Sequence, residues 1–163
     1  MSGLISRRAV LQLLGLGGLT LMMPQLLAKH RGAIVKMTKT RAEWKALLTA
    51  EQFDVLRDEG TEPPHSSPLN KEYRDGIYHC AGCDLELFSS DMKFDSGTGW
   101  PSFFTCIEGH LETKKDFKLF LPRTEYHCAR CGGHHGHIFN DGPKPTGKRW
   151  CNNGLALNFI PEK

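Results

Sequence analysis

The six cysteines of this 163-residue chain fall into two groups according to their spacing. Four of them lie in two Cys-x-x-Cys knuckles separated by 44 residues, and they are Cys80, Cys83, Cys128 and Cys131. Four thiolates presented in this way match the tetrahedral ligand set of a structural Zn²⁺, which is closed and leaves no position open for a substrate. Thiol chemistry is therefore left to the remaining cysteines, Cys106 and Cys151.

Two other interpretations of the knuckles stay open at this point. The four cysteines would also suit structural or redox-active disulfides, and iron is a weaker alternative. Zinc is favoured because each knuckle presents two sulfurs from a tight turn, and bringing two such turns together completes a tetrahedron. We therefore predict one structural Zn²⁺ bound by these four residues.

The segment around Cys151 carries charged and amide side chains. A single cysteine on an apolar strand is ordinarily a small buried hydrophobe. Here Arg149 precedes the cysteine and Asn152-Asn153 follow it, so a cation and amide donors surround the sulfur. Such a setting favours the thiolate and can fix a polar atom of a substrate.

Two further segments carry side chains suited to chemistry. His134-His135-Gly136-His137 starts three residues after the second knuckle, where a histidine cluster alone would most often extend a metal site or belong to a loop. The tripeptide at Trp100, Gly-Trp-Pro, predicts a sharply defined turn that presents the indole outward, whereas a core tryptophan beside a turn is the ordinary alternative. Neither segment identifies a reaction by itself.

The elements that must position these side chains are mostly β-strands. The apolar and β-branched patterns predict strands over residues 77–79, 85–88, 110–121, 124–128, 138–139 and 150–159. Capping-box patterns that begin at Thr40 and Thr49 predict two helix starts, the second for a helix over residues 50–58. We predict a mainly β protein, a barrel-like antiparallel domain with short N-terminal helices packed on one side.

Residues 1–28 have the features of a targeting segment. The adjacent Arg7 and Arg8 precede a short apolar stretch, which predicts a twin-arginine export signal. A membrane-spanning helix is the alternative, and the glycines and proline of this stretch weaken it. Because Leu26 replaces the small residue of a cleavage pattern ending at Ala28, both cleavage and retention as a membrane tether stay open.

The signal sets the expected compartment and the charge of the mature domain, residues 29–163. We expect a periplasmic protein, exported by the twin-arginine route. Removing Arg7 and Arg8 lowers the basic count from 21 to 19 against 18 acidic residues, and this near-neutral balance argues against nucleic acid as a partner. Exported cysteine-rich proteins usually form disulfides. The twin-arginine route carries folded proteins, so zinc can be loaded first and then shields the thiolates.

Six segments, in order along the chain, carry the most specific pattern. They are Thr61-Glu62-Pro63-Pro64-His65-Ser66-Ser67-Pro68-Leu69, Tyr78-His79-Cys80-Ala81-Gly82-Cys83, Leu87-Phe88-Ser89-Ser90, Lys93-Phe94-Asp95-Ser96-Gly97-Thr98-Gly99-Trp100-Pro101-Ser102-Phe103, Cys128-x-x-Cys131-Gly-Gly-His134-x-Gly136-His137-Ile138-Phe139 and Arg149-Trp150-Cys151-x-Asn153. Together, over about residues 51–159, they resemble the B-type peptide methionine sulfoxide reductases. The resemblance implies two antiparallel sheets, with a Cys₄ zinc on the side away from the active site.

The resemblance also implies a reaction and a role for each residue. The Cys151 thiolate would attack the sulfur of methionine-R-sulfoxide and be left as a sulfenic acid, while His134 and His137 supply a proton to the oxygen. Asn153 would help to hold the polar end of the substrate. The remaining implied substrate contacts are Trp100, which would face the ε-methyl group, Arg149, which would favour the thiolate, and Phe103. The implied partners are oxidised exported proteins and a thioredoxin-like or other thiol reductant, with the enzyme acting as a monomer.

The chain departs from the family pattern at the recycling step. Many members carry a resolving cysteine at the position of Thr98, so the usual intramolecular disulfide cannot form here. Cys106 is then either the resolving cysteine or a buried apolar filler, in which case an external thiol reduces Cys151 directly. The neighbouring Phe103, Phe104 and Ile107 favour the filler.

Two other functional classes remain open on the sequence. A non-catalytic, zinc-ribbon-like binding module explains the knuckles but leaves Trp100, His137 and Cys151 without a role. A periplasmic thiol–disulfide oxidoreductase would use one knuckle as its redox pair. One tightly held zinc would remove the oxidoreductase, and loss of the Cys151 thiol on treatment with a sulfoxide would remove the binding module.

Overall fold

The computed structural model describes residues 33–118 and 121–163. The predicted export signal, residues 1–28, lies outside these ranges. No helix within them is long and apolar enough to cross a membrane.

Two short helices, α1 (Arg41–Leu47) and α2 (Ala50–Asp58), precede the strands. Each follows a threonine N-cap, Thr40 or Thr49, in a complete capping box. The threonine hydroxyl accepts from a backbone N–H three residues on, and the side chain there accepts from the N-cap N–H. Both predicted helix starts are confirmed, and the bounds of α2 agree with the prediction.

The described residues form two antiparallel sheets, which confirms the mainly β fold. One sheet has the order β2-β1-β9 and the other the order β3-β4-β8-β7-β6-β5. The strands are β1 (Gly76–Cys80), β2 (Glu86–Ser89), β3 (Lys93–Phe94), β4 (Ser102–Phe103), β5 (Leu111–Asp116), β6 (Arg123–Cys128), β7 (His134–Phe139), β8 (Arg149–Asn152) and β9 (Leu157–Pro161).

Aromatic side chains from both sheets meet in the core. The ring of Phe103 in the larger sheet stacks on that of Phe88 in the smaller sheet, with centroids 4.0 Å apart, and meets the edge of Tyr78 at 5.0 Å. Tyr126 lies in the same cluster and, like these three rings, is fully buried. This apolar contact holds the two sheets face to face.

Three predicted strands differ from the structure by more than two residues. The strand predicted over residues 138–139 begins at His134, as β7. Residues 150–159 do not form one strand, because a 3₁₀ turn at Gly154–Ala156 separates β8 from β9 and sends them into different sheets. The backbone N–H groups at the start of this turn donate to the carboxylate of Glu62 instead of to a neighbouring strand. The strand predicted over residues 110–121 ends at Asp116, whose carboxylate accepts from the Lys118 N–H and so closes a local turn.

The register between β7 and β8 positions the residues singled out by sequence. His137 lies directly opposite Cys151, and Gly136 lies opposite Asn152. A Cβ atom at Gly136 would lie 1.9 Å from the Cys151 carbonyl oxygen, so the close approach of the two strands requires glycine there. The register therefore brings a nucleophile and a titratable side chain together.

Candidate active site

A small pocket opens where β7 and β8 meet the turn at Trp100. It has a volume of about 140 Å³. Its lining residues are Thr61, Trp100, Arg123, Gly136, His137, Phe139, Cys151, Asn152 and Asn153. Four residues predicted to form the site, Cys151, His137, Asn153 and Trp100, thus share one cavity. A larger groove of about 640 Å³ has neither cysteine nor histidine among its described lining residues.

The Cys151 thiol is half-buried, and burial is the largest effect on its acidity. Burial raises the pKa of Cys151 above its ordinary value. The Arg149 guanidinium and a hydrogen bond from the Thr98 hydroxyl act against this rise, while the Asp141 charge adds to the pKa. The sequence pattern favoured a thiolate, but in the free protein desolvation outweighs the neighbouring cation.

Arg149 is fixed beside the pocket by an acidic and an aromatic partner. Its Nε and Nη2 donate to Asp141 Oδ1 and Oδ2 at 2.8 and 2.9 Å, and its guanidinium lies 4.3 Å from the centroid of the Phe139 ring. The side chain is buried although it carries a charge. The paired carboxylate compensates that charge, which weakens the electrostatic stabilisation that Arg149 gives to a Cys151 thiolate.

A carboxylate stands behind His137. His137 Nε2 lies 2.7 Å from Asp116 Oδ2, and Arg123 Nη2 donates to the same oxygen at 2.6 Å. Burial lowers the pKa of His137, the contact with Asp116 raises it, and the charge of Arg123 lowers it further. The hydrogen bonds from the Lys118 N–H, His137 and Arg123 hold the pKa of Asp116 well below its ordinary range. Asp116 is therefore an anion that orients the imidazole.

His134 lies behind His137 and not in the lining of the pocket. It is 3% exposed, and its Nδ1 lies 2.9 Å from Oε1 of Glu125, which is itself 2% exposed. The second carboxylate oxygen of Glu125 lies 3.0 Å from Nζ of Lys114. The rings of His134 and His137 meet edge to face, 5.5 Å apart. The geometry gives His137 the direct contact with the pocket and His134 a supporting position.

The backbone of Glu62 forms hydrogen bonds with Trp100 and Asn153, the two other residues predicted to contact substrate. The Nε1–H of Trp100 donates to the Glu62 carbonyl oxygen at 3.1 Å, and the Glu62 N–H donates to Asn153 Oδ1 at 3.0 Å. Asn153 Nδ2 donates in turn to the His135 carbonyl oxygen at 3.0 Å. An indole and an amide are thus fixed on the wall of the pocket.

Two sequence-predicted residues lie elsewhere. Phe103 was expected to contact substrate, but it points away from the pocket into the core, where it stacks on Phe88. The substrate contact assigned to it is therefore withdrawn. Cys106 packs against the same core, and burial raises its pKa to about 11. Thr98 stands where the resemblance places a resolving cysteine, and its side chain, like that of Arg149, forms a hydrogen bond with the Cys151 sulfur.

The four knuckle sulfurs form a separate cluster. They all lie within 4.8 Å of one another, at 3.7 Å between Cys80 and Cys131 and 3.4 Å between Cys83 and Cys128. These separations are far longer than a disulfide bond, which is about 2.05 Å. A tetrahedral zinc with Zn–S bonds of about 2.3 Å would place its sulfurs about 3.8 Å apart. The cluster therefore fits a metal ion of that size.

Two side chains form hydrogen bonds with this cluster. Arg57 Nη2 donates to Cys131 Sγ at 3.2 Å, and its Nη1 donates to the carbonyl oxygen of the same residue at 2.9 Å. His135 is fully buried, with its Nε2 lying 3.4 Å from Cys80 Sγ. Charged and polar N–H groups around four thiolates are the expected outer contacts of a structural metal site.

Sequence analysis missed several of these supporting residues. Asp116, Glu125, Asp141 and Glu62 are acidic residues that reach the site from strands or loops distant in sequence. Only Glu62 lay inside a segment already singled out, and nothing in that segment marked it as a hydrogen-bond acceptor. The signal for Asp116 and Glu125 is the cross-strand register, which appears only in the fold, and Asp141 lies in the loop between β7 and β8.

Comparisons with known proteins agree with this geometry. The SelR domain family matches residues 48–161. The chain is 52% identical over 126 residues to the peptide methionine sulfoxide reductase MsrB of Methanosarcina barkeri strain Fusaro, covering 77% of this chain and 89% of that protein. It is 51% identical over 128 residues to the MsrB of Pseudomonas putida strain W619, covering 77% of this chain and 96% of that protein.

Among solved structures, the Mis18 "Yippee-like" domain covers 55% of this chain and 99% of its own at 14% identity, with a TM-score of 0.44 that is too low to bear on function. The family match and the relatives are decisive, because they span nearly all of the described fold, including both knuckles and the pocket. The chain belongs to the SelR domain family, the B-type methionine sulfoxide reductases.

Proposed function

We propose that the protein reduces the R epimer of peptide-bound methionine sulfoxide, with Cys151 as the nucleophile. The observation that carries the proposal is the cross-strand pair of Cys151 and His137, which opens into a pocket walled by Trp100 and Asn153. Family membership and relatives that are about half identical support the same reaction.

The sulfur of Cys151 attacks the sulfoxide sulfur and forms an S–S bond, while the sulfoxide oxygen accepts a proton. His137 is the proton donor nearest the pocket, and Asp116 keeps its ring in place. The oxygen then passes to the Cys151 sulfur as the substrate's S–O bond and the new S–S bond break, which leaves Cys151 as a sulfenic acid. The methionine sulfur keeps the electron pair of the broken bond, so it is reduced by two electrons and methionine is released. Because the pKa of Cys151 is raised, this sulfur is mainly a thiol until substrate and a proton acceptor arrive.

Recognition of the substrate follows from the two fixed walls of the pocket. The Trp100 indole offers an apolar face to the ε-methyl group, while the Asn153 amide offers a polar group to the sulfoxide end. A volume of about 140 Å³ is enough for one side chain of this size and too small for a folded segment. The substrate methionine must therefore be exposed or in an unfolded stretch.

Regeneration uses an external thiol. Thr98 supplies no second sulfur beside Cys151, and Cys106 is partly buried against the core with a pKa raised to about 11. Two thiols of a thioredoxin-like or other reductant convert the sulfenic acid to a thiol and water, and the reductant leaves as a disulfide.

The Cys₄ cluster binds one structural zinc. The donor set of four thiolates, their spacing and the two flanking N–H donors support this assignment. Zinc here supplies folding energy and takes no part in the reaction.

The place of action is the periplasm, reached by twin-arginine export of a folded monomer. The support is the sequence of residues 1–28 alone. Replacing Arg7 and Arg8 by lysine should strand the protein in the cytoplasm, as followed by fractionation. Delivery of that double variant to the periplasm at the normal level would contradict the route.

The experiment for the reaction is an assay on the two separate epimers of a peptide methionine sulfoxide with dithiothreitol as reductant. The account predicts turnover of the R epimer, none of the S epimer, and loss of all turnover in Cys151→Ser. Cys106→Ala is the matched control and should retain turnover. Comparable rates on both epimers, or an active Cys151→Ser, would contradict the proposal.

A further inference from the structure

Glu62 is a buried carboxylate between the pocket and the turn that follows Cys151. Its side chain is 4% exposed. Oε1 accepts from the Gly154 N–H at 2.7 Å, and Oε2 accepts from the Leu155 N–H at 2.9 Å. Two charge-assisted hydrogen bonds to consecutive backbone groups fix the carboxylate, and with it the backbone of residue 62, against this turn.

The backbone of the same residue holds both walls of the pocket. Its carbonyl oxygen accepts from Trp100 Nε1, and its N–H donates to Asn153 Oδ1. Within the described residues, Trp100 and Asn153 are not hydrogen-bonded to each other, and both are bonded to residue 62. Residue 62 therefore joins its own loop to two segments that are distant in sequence, the turn at Trp100 and residues 153–155.

Gly154 is packed closely against the loop that carries Glu62. A Cβ atom on Gly154 would lie 1.9 Å from Ser67 Oγ and 3.3 Å from Glu62 Oε1. Glycine at this position therefore lets the turn approach Ser67, which lies in the same loop as Glu62. The turn and the loop are thus held together by the Glu62 carboxylate and by the absence of a side chain at residue 154.

We propose that Glu62 is the positioning residue that sets the indole of Trp100 and the amide of Asn153 at the separation needed to recognise the sulfoxide side chain. It acts through these two residues and does not touch the substrate. The inference rests on the proposed reduction of methionine-R-sulfoxide. A carboxylate suits the role because both of its oxygens accept, whereas an amide would turn an N–H toward one of the two backbone donors.

The test compares full-length Glu62→Ala, Glu62→Gln and wild-type protein on the R epimer of a peptide methionine sulfoxide. Loss of the anchor should raise KM and lower kcat/KM of Glu62→Ala by about 100-fold, the factor for positioning groups displaced by ~1 Å. Glu62→Gln should show a smaller change in the same direction. Ser66→Ala is the control, because Ser66 lies in the same loop and bonds only to the exposed Pro63 carbonyl oxygen.

Two readouts separate positioning from general destabilisation. The rate of iodoacetamide alkylation of Cys151 and the zinc content should stay at wild-type values in Glu62→Gln. In an Asn153→Ala background, Glu62→Ala should lower kcat/KM several-fold less than it does in wild type. One of the two residues through which Glu62 acts has already been removed in that background. Fully additive losses would assign Glu62 to folding alone and overturn the inference.

Gly154→Ala tests the contact from its other side and should reproduce the rise in KM. Wild-type KM in both Glu62→Gln and Gly154→Ala would overturn the inference while leaving the reductase assignment intact. Failure of the wild-type protein to reduce the R epimer would instead overturn the proposed function.

Discussion

The knuckle cluster and the pocket use the same element, sulfur, in opposite ways. At the knuckles, four sulfurs lie within 4.8 Å of one another, Arg57 donates to one of them, and His135 Nε2 lies beside another. At the pocket, one sulfur stands alone, half-buried, with a histidine opposite it across two strands. The first arrangement has no room for a substrate, and the second offers too few ligands for a structural metal.

Under the proposed function, access to substrate distinguishes Cys151 from the other cysteines more than thiol acidity does. The Cys151 pKa is raised by burial, so a low pKa does not single it out. Cys151 is distinguished instead by access through a pocket and by a titratable partner. Cys106 supports the same point from a third position, because it is a free thiol with a raised pKa but packs against the core.

The largest effect should come from disrupting the cluster of four knuckle cysteines. Cys131→Ser removes one of four ligands and the partner of Arg57, so it should release the metal and lower the free energy of unfolding by at least about 4 kcal/mol. Zinc content and thermal denaturation measure this. Cys151→Ser is the matched variant in the pocket and should keep both the zinc and the melting temperature. A Cys131→Ser protein with no zinc and an unchanged melting temperature would show that the cluster is not structural.

The next largest effect should come from the carboxylate behind His137 in the pocket. Asp116→Asn removes the anion that raises the pKa of His137, so that pKa should fall further. Because His137 must be protonated to donate, activity should be lost at a lower pH than in wild type, and kcat at neutral pH should fall by about 10- to 100-fold. A pH–rate profile on the R epimer measures this. Glu112→Gln, an exposed acid on the same strand, is the control and should leave the profile in place. An Asp116→Asn pH–rate profile that matched the wild-type profile would show that Asp116 does not set the pKa of His137.

A smaller effect is expected from Asp141. Its charge raises the pKa of Cys151, and its carboxylate occupies Arg149. Asp141→Asn should therefore lower the pKa of Cys151, which is measured by the pH dependence of alkylation with iodoacetamide. The rate below the wild-type pKa should rise, while zinc content stays constant. A pKa that moved upward would contradict the assigned balance of charges.

The smallest effect on the reduction step is expected from Thr98→Cys. Because the Thr98 side chain contacts the Cys151 sulfur, a cysteine there should trap the sulfenic acid as a disulfide. One equivalent of sulfoxide should then consume two thiols where wild type loses one, with the rate of methionine release unchanged. Loss of a single thiol in the variant would place residue 98 too far from Cys151 for a bond.

Sequence alone was sufficient where the chemistry is local in the chain. The knuckles and the capping boxes at Thr40 and Thr49 each carry their signal within a few residues. The turn at Trp100 does so as well, and the indole lines the pocket.

Sequence failed where a tertiary contact overrides the local pattern. The alternating apolar residues after Trp150 predicted one strand, but Glu62 takes the N–H groups of Gly154 and Leu155 and breaks it. Phe103 stands next to a pocket-forming segment, yet its strand turns it toward Phe88 and the core. Both outcomes depend on partners more than a dozen residues away in sequence.

The central claim is that Cys151, and not a knuckle cysteine, carries the oxygen taken from the substrate. The direct measurement is a single turnover on the R epimer without reductant, followed by dimedone labelling and peptide mass spectrometry with zinc content measured in parallel. The account predicts one dimedone adduct on the Cys151 peptide, none on the knuckle peptides, and no loss of zinc. An adduct on Cys80, Cys83, Cys128 or Cys131, accompanied by zinc release and an unmodified Cys151, would contradict it.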